Sequence, residues 1–371
     1  MEILNRRLRE ELNLRKEEGR FRKLSEDRIG IDIYSNDYLG FSRNKELGNR
    51  LKTLLEQYPD SVLGATGSRL ISGNSNLVME IEAFIARNHQ FESALLFPSG
   101  YVANQSLFSV VPKKTDTIIV DEKVHRSVYD GCRLSMANRW KFRHNDLDHL
   151  EELIKRSSGH VWVGVESLYS MDGDFAPLAE IAALCDSYSA ALIVDEAHAI
   201  GTFGLGLVSK YRLQDKVFAS IVTYGKAMGQ SGAAVLGSST LIDYLINYSP
   251  AFIYSTGLPD FNALAIKESY EFLDSNVLVI NNLNNNIKRF YTFIDENKKE
   301  ELSPIIPIRF SDQKELGLAL EKLTENGFLS YAIKSPTVAI GEEMIRICIH
   351  SFNSNSEIDL LSNIIREIKY G

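Results

Sequence analysis

Cysteine is scarce in this chain: Cys132, Cys185 and Cys348 are the only three in 371 residues. None stands in a CxxC or CxH spacing, which excludes a disulfide framework and a cysteine-held zinc site. They read as buried thiols in a reducing cytoplasm. Long apolar runs are missing too, since no stretch reaches the roughly 18 residues of a membrane span. There is no excess of positive charge. The formal charge is −8, which argues against nucleic acid or an anionic membrane as partner, because both require a basic face. The first twenty residues carry mixed charge at helical spacing without an apolar core or small-residue cleavage site, so they read as a surface helix rather than a leader. Catalytic signatures are also absent. His144 and His149 are five apart and do not share a helical face, and no HExxH occurs. Gly225-Lys226 is followed by Ala227, which excludes the phosphate loop of nucleotide hydrolases, and no GxSxG elbow supports a serine hydrolase. Repeats and low-complexity linkers are lacking, and GATG (64–67) and GLG (204–206) read as turns.

What is present is a regular alternation. SALLFPSG (93–100), DTIIVDEKV (116–124), HVWVGVESLYSMDG (160–173), AALIVDEAHA (190–199), ASIVTYGK (219–226) and GAAVLG (232–237) are short, rich in Val, Ile and Leu, and end in polar residues or glycine. Such runs are strands buried on both faces, with functional groups at their carboxyl ends. Helical patterns lie between them, as in 147–157 and in 177–189, where Pro177 suits a first turn. The expectation is an α/β fold, a mostly parallel sheet wrapped by helices, plus a smaller α+β C-terminal lobe. At this length two lobes are expected. The segments are an N-terminal arm over 1–45, a large domain over 46–275 and a small domain over 276–371.

Lys226 ends one of these strands, about thirty residues after VDEAH (194–198). Chemistry with pyridoxal phosphate (PLP) needs this pair, a lysine to hold the aldehyde and a carboxylate to keep the ring nitrogen protonated. Thr223, Gly225, Gly229, Ser231 and Gly232 leave room for a ligand. Ser99, Gly100 and Tyr101 stand at a strand-to-helix junction suited to a phosphate. Asp195 ends a strand and His198 follows three residues later, so both reach one pocket; the bland alternatives are a helix N-cap and a structural histidine. His125 follows another strand end, either to stack on a ring or as an ordinary loop residue.

With these residues in hand, the chain resembles the α-oxoamine synthases, a family of fold-type-I PLP-dependent transferases. The resemblance runs from YSNDYLGFS (34–42) through GSRLISG (67–73), SLYSMDGDFAPL (167–178) and VDEAHAIG (194–201) to PTVAIGEEMIRICIH (336–350). It implies a PLP-dependent acyltransferase that joins an amino acid to an acyl thioester with loss of carbon dioxide. SNDYLG, SMDGD and GKAxGxSGAAV are most similar to members that use L-alanine and a pimeloyl thioester in biotin synthesis. Condensation of glycine with a short acyl-CoA is the alternative, and a non-catalytic PLP-fold binding protein another. The resemblance implies that Lys226 holds the cofactor and acts as base, Asp195 holds the pyridinium, and His125 stacks on the ring. It further implies that His198 and Ser170 contact the phenolic oxygen side, and that Gly100, Tyr101 and Thr223 hold the phosphate. Such enzymes are homodimers with shared active sites, and Thr256 matches the residue lent by the neighbour. Arg346 matches the carboxylate-binding arginine, and Arg22, Asn36 and Thr337 match positions of substrate contact. Three departures bear on the acyl chain. The segment between Arg22 and Asn36 is short, the family's histidine is missing near Gly73–Val78, and the loop after His198 is reduced.

Overall fold

The computed structural model describes residues 2–24, 29–294, 302–310, 312–335, 338 and 341–370. Two compact units make up the chain: Asn36–Asn285 with His350–Phe352, and Met1–Ser35 with Asn286–Ile349 and Asn353–Gly371. The larger unit thus starts at Asn36 and runs to Asn285, where the sequence suggested 46–275.

Strand β1 (Ile31–Asp32) belongs to the smaller unit. The larger unit holds β2 (Ser93–Phe97), β3 (Thr117–Asp121), β4 (Asn138–Phe142), β5 (Val161–Glu166), β6 (Ala191–Asp195), β7 (Ala219–Thr223) and β8 (Ala233–Gly237). They form one seven-stranded sheet in the order β2-β8-β7-β6-β5-β3-β4. The contacts from β4 through β7 are parallel, and β8 runs antiparallel to both its neighbours. Strands β3, β7 and β8 are buried throughout, as expected where helices cover both faces. Burying each such Val, Ile or Leu side chain contributes about 1.5–3 kcal/mol. The sheet is therefore a stiff platform, and its carboxyl edge is free to carry polar groups.

Strand β4 was not legible as a strand, because NRWKF has no apolar run. It is one of the two edge strands, with Asn138, Arg139 and Lys141 exposed. The Leu178–Ser187 helix starts one residue later than read, with Pro177 as its cap. Register sets the carboxyl edge: Glu166 pairs with Asp195, and Ala233 at the start of antiparallel β8 pairs with both Phe97 and Thr223. The ends of β2, β5, β6 and β7 and the start of β8 meet there.

In the smaller unit, β9 (Ile305–Arg309), β11 (Ala332–Ile333) and β12 (Met344–Cys348) form an antiparallel sheet in the order β11-β12-β9, while β10 (Phe328–Leu329) pairs in parallel with β1. The Glu2–Glu17 helix buries none of its residues. No described helix is long and apolar enough to cross a membrane.

Candidate active site

A cleft of about 350 Å³ opens at the carboxyl edge of the large sheet. One end is built by the turn from β2 into the Gly100–Val110 helix. Ser99 caps that helix by accepting the Val102 amide at 3.4 Å. Amides of a first turn have no intrahelical acceptor, and together with the helix dipole they favour an anion. Glycine at position 100 is required by packing, since a Cβ there would stand 2.5 Å from Thr223 Cγ2. Backbone thus comes to the cleft with no side chain in the way. Thr223 itself is anchored by donating to the Ala197 carbonyl at 3.4 Å.

In the middle lies Asp195, 5 % exposed at the end of β6. One oxygen accepts the Ala197 amide at 2.9 Å, closing a turn, and no helix starts here for Asp195 to cap. The other accepts Asn104 Nδ2 at 2.7 Å. Asn104 also donates to Ser127 Oγ at 3.1 Å, and Ser127 Oγ meets His125 Nδ1 at 2.7 Å. A hydrogen-bonded chain therefore links the carboxylate to the imidazole. Desolvation lowers the His125 pKa, the Asp195 charge raises it, and the Lys226 charge lowers it again, with a net fall. Tyr101 meets the His125 ring edge-on at 6.4 Å.

His198 is oriented from behind. Its Nδ1 lies 2.8 Å from the Tyr38 hydroxyl, which donates to Asn36 Oδ1 at 3.2 Å. Since that hydroxyl has one proton to give, Nδ1 of His198 is the donor in this pair. Glu166, beside Asp195 in register, is pushed up to about 8 by burial and by the Asp195 charge, and accepts the Ser170 amide at 3.1 Å. It holds a proton at neutral pH, while the Asp195 carboxylate receives two donors.

Lys226 is half-buried in the turn that joins β7 to β8 and lines the same cleft. The turn is closed by backbone bonds, Tyr224 N to Gly232 O at 3.0 Å and Gln230 N to Tyr224 O at 2.7 Å. Thr223, Gly225, Ser231 and Gly232 border the cleft as expected, but Gly229 serves another purpose. Its φ is +65°, and a Cβ would meet the Ser42 amide at 2.7 Å, so it makes room for backbone rather than for a ligand.

Comparison with known proteins agrees with this geometry. Residues 28–364 match the model of the family described as aminotransferase class I and II. A protein of Emericella nidulans named 8-amino-7-oxononanoate synthase is 36% identical, over 96% of this chain and 94% of its own. One of the same name from Marinobacter nauticus is 35% identical, over 89% and 85%.

The chain belongs to the aminotransferase class I and II family, as a PLP-dependent α-oxoamine synthase.

The crystal structure of 8-amino-7-oxononanoate synthase from Francisella tularensis superposes with a TM-score of 0.78 at 27% identity, covering 92% of this chain and 98% of that one. Serine palmitoyltransferase of Sphingomonas wittichii shares the fold, with a TM-score of 0.84 at 24% identity over 91% and 87%. PLP is the cofactor of these α-oxoamine synthases, and the cleft fits it. A helix start with unhindered backbone, a buried carboxylate held by two donors, and a lysine line one cavity.

Nine of the residues to which the resemblance gave a cofactor or substrate role line this cleft: Asn36, Gly100, Tyr101, His125, Ser170, Asp195, His198, Thr223 and Lys226. Thr256 does not join them within its own chain. It bridges Ser68 and borders a separate cavity with Gly73 and Gly257. Arg22 is exposed, and Arg346 is buried on β12, donating to Cys348 Sγ at 2.8 Å; both belong to the smaller unit. Thr337 lies outside the described residues.

Four site residues escaped the sequence reading: Tyr38, Asn104, Ser127 and Glu166. Two of them left a signal. Asn104 stands four residues after Gly100, on the same helical face as the helix start, and Glu166 ends a buried parallel strand just as Asp195 does.

Proposed function

We propose that this enzyme condenses L-alanine with a pimeloyl thioester to give 8-amino-7-oxononanoate, carbon dioxide and free thiol, and that it acts in the cytoplasm as a homodimer. The observation that carries this reading is the joint presence of Lys226, Asp195 and the Gly100 helix start in one cleft. The name shared by the full-length relatives supports the substrates. PLP, when bound, supplies an electron sink for the pair left on the amino acid's α-carbon as a proton or carbon dioxide departs.

The chain's own residues do the rest. Lys226 would hold the cofactor through its aldehyde carbon, and its amine, when free, would take the α-proton. Asp195 keeps the proton on the ring nitrogen, with Asn104 fixing the carboxylate's direction. His125 would lie against the ring face, while Ser170 and His198 would meet the phenolic oxygen side. Gly100, Tyr101 and Thr223 receive the phosphate, joined by Thr256 of the second subunit. Asn36, Arg22 and Thr337 contact substrate.

Arg346 grips the α-carboxylate with its planar fork. Replacing it by alanine removes a charge-assisted pair worth about 2–5 kcal/mol, so the KM for alanine should rise at least tens-fold. Arg346→Lys should recover only part of that, because a point charge lacks the fork. Steady-state kinetics with each substrate varied in turn checks this: thioester KM should stay within a few-fold. A weakened thioester with alanine spared would reverse the assignment.

The activity is tested by thiol release and by carbon dioxide from carboxyl-labelled amino acid. Alanine with pimeloyl thioester should exceed glycine with a short acyl-CoA by about tenfold or more in kcat/KM, the scale on which a pocket distinguishes methylenes. The reverse ranking would make it a ketobutyrate-type ligase. Cofactor binding without thiol release from any pair would mean a protein without turnover.

A further inference from the structure

The histidine that metal spacing rules left unexplained sits between two acids. His144 Nδ1 is 2.9 Å from Asp121 Oδ1, and its Nε2 is 2.6 Å from Asp174 Oδ2. A carboxylate only accepts, so both ring nitrogens must donate, and the ring is an imidazolium.

The two acids belong to different parts of the larger unit. Asp121 ends β3, is fully buried, and also accepts the Lys123 amide at 2.8 Å and the Asn145 amide at 2.9 Å. Asp174 lies on the returning limb of the loop after β5. Leu168 bridges Phe175, Tyr169 N donates to Asp174 O at 2.9 Å, and Gly173 N donates to Tyr169 O at 3.0 Å. The loop is thus a narrow hairpin. Near its tip Ser170 lines the cleft. The His144 turn grips the hairpin twice more, through Asn145 Nδ2 to the Phe175 carbonyl at 3.0 Å and through the Tyr169 ring, edge-on at 4.5 Å.

We propose that His144 is a positioning residue: held as an imidazolium between Asp121 and Asp174, it fixes the 168–175 hairpin and so places Ser170 at the wall of the cleft. Its consequence for the cofactor rests on the reading that the cleft binds PLP.

Burial alone would lower the His144 pKa, but the hydrogen bonds and charges of Asp121 and Asp174 outweigh it and raise the value to about 9. A pKa raised on folding makes a contribution that is complete below the unfolded value of about 6.5 and is lost as pH rises through the folded one. The clamp should therefore hold at neutral pH and loosen around pH 9.

Other charged groups face this turn. Glu122 accepts the His144 amide at 3.1 Å, Arg143 pairs with Asp146 at 2.7 Å, and Lys123 pairs with Asp172 at 3.0 Å. The Tyr169 phenol is held far above its usual range and stays neutral. Glu166, at about 8, titrates in the same window and bonds the Ser170 amide, but its loss of a proton would strengthen that bond. The opposite sign separates it from His144.

The test is amide hydrogen exchange over 168–175 in the full-length protein with and without PLP, with 191–195 as reference, together with the PLP dissociation constant. His144→Gln should speed exchange of the hairpin at pH 7 about tenfold or more, leave 191–195 unchanged, and weaken PLP binding about tenfold. Wild-type hairpin protection, corrected for intrinsic rate, should fall between about pH 8 and 10, and His144→Gln should abolish that dependence. Hairpin exchange in His144→Gln equal to wild type overturns the proposal. Should this variant loosen 191–195 as well, Asp174→Asn decides, because it keeps an acceptor oxygen and removes only the charge. It should speed the hairpin several-fold and spare the reference, and an unchanged hairpin would again overturn the clamp. Loosening of the hairpin with PLP affinity intact would contradict the cofactor reading of the wall, not the clamp.

Discussion

Lys226→Ala should leave a folded protein that no longer retains PLP through borohydride reduction and whose turnover falls by on the order of 10³-fold or more. That magnitude follows from losing a covalent anchor and a base together, since a positioned base alone contributes about 10²–10⁴-fold. The fold should survive because position 226 lies in a turn closed by its neighbours' backbone bonds and is only half-buried. Free PLP should still enter the cleft, as the Gly100 helix start, Thr223 and Asp195 remain. The expected signature is reversible cofactor binding without a covalent adduct, read by dialysis before and after reduction. Added small amines should restore a fraction of proton abstraction. Retained turnover in this variant would remove Lys226 from the chemistry.

The second large effect is expected at Asp195. Asp195→Asn keeps the shape and removes the charge that stabilises a protonated ring nitrogen, so kcat should fall by about 10²–10³-fold, the scale of one lost electrostatic contact in a preorganised site. PLP affinity should change by less than about tenfold. The substitution is well tolerated sterically. Among the described residues Asn104 Oδ1 has no hydrogen-bond partner, so its side-chain amide can turn over and accept from the new side chain. Stopped-flow measurement of solvent exchange at the alanine α-carbon reports the step directly. An unchanged exchange rate would place the ring's partner elsewhere.

Much of this was written in local sequence. Strands buried on both faces carry continuous Val, Ile and Leu, so β2, β3, β5, β6, β7 and β8 were visible, and their carboxyl ends pointed to Asp195 and Thr223. Single-sequence periodicity misses a strand without an apolar run, and β4 was lost for that reason, while β2 at the other edge is apolar and was read. Asp195, His198, Thr223 and Lys226 were found because each sits next to its strand end. Tyr38 and Ser127 were not, because their roles depend on pairings across 160 residues in the Tyr38–His198 case, which no local window contains. Gly229 shows the converse. A glycine close to Lys226 reads as space for a ligand, yet packing against Phe41 and Ser42 from another part of the chain demands it. His144 was set aside for lacking metal spacing, and only the fold shows the two acids it joins.

The most direct test of the account is mass-spectrometric mapping after borohydride reduction of the PLP-loaded protein. A single peptide containing Lys226 should carry the reduced cofactor, and none should after prior treatment with excess alanine. PLP recovered on another lysine, or on none, would contradict the assignment of this cleft as the catalytic centre.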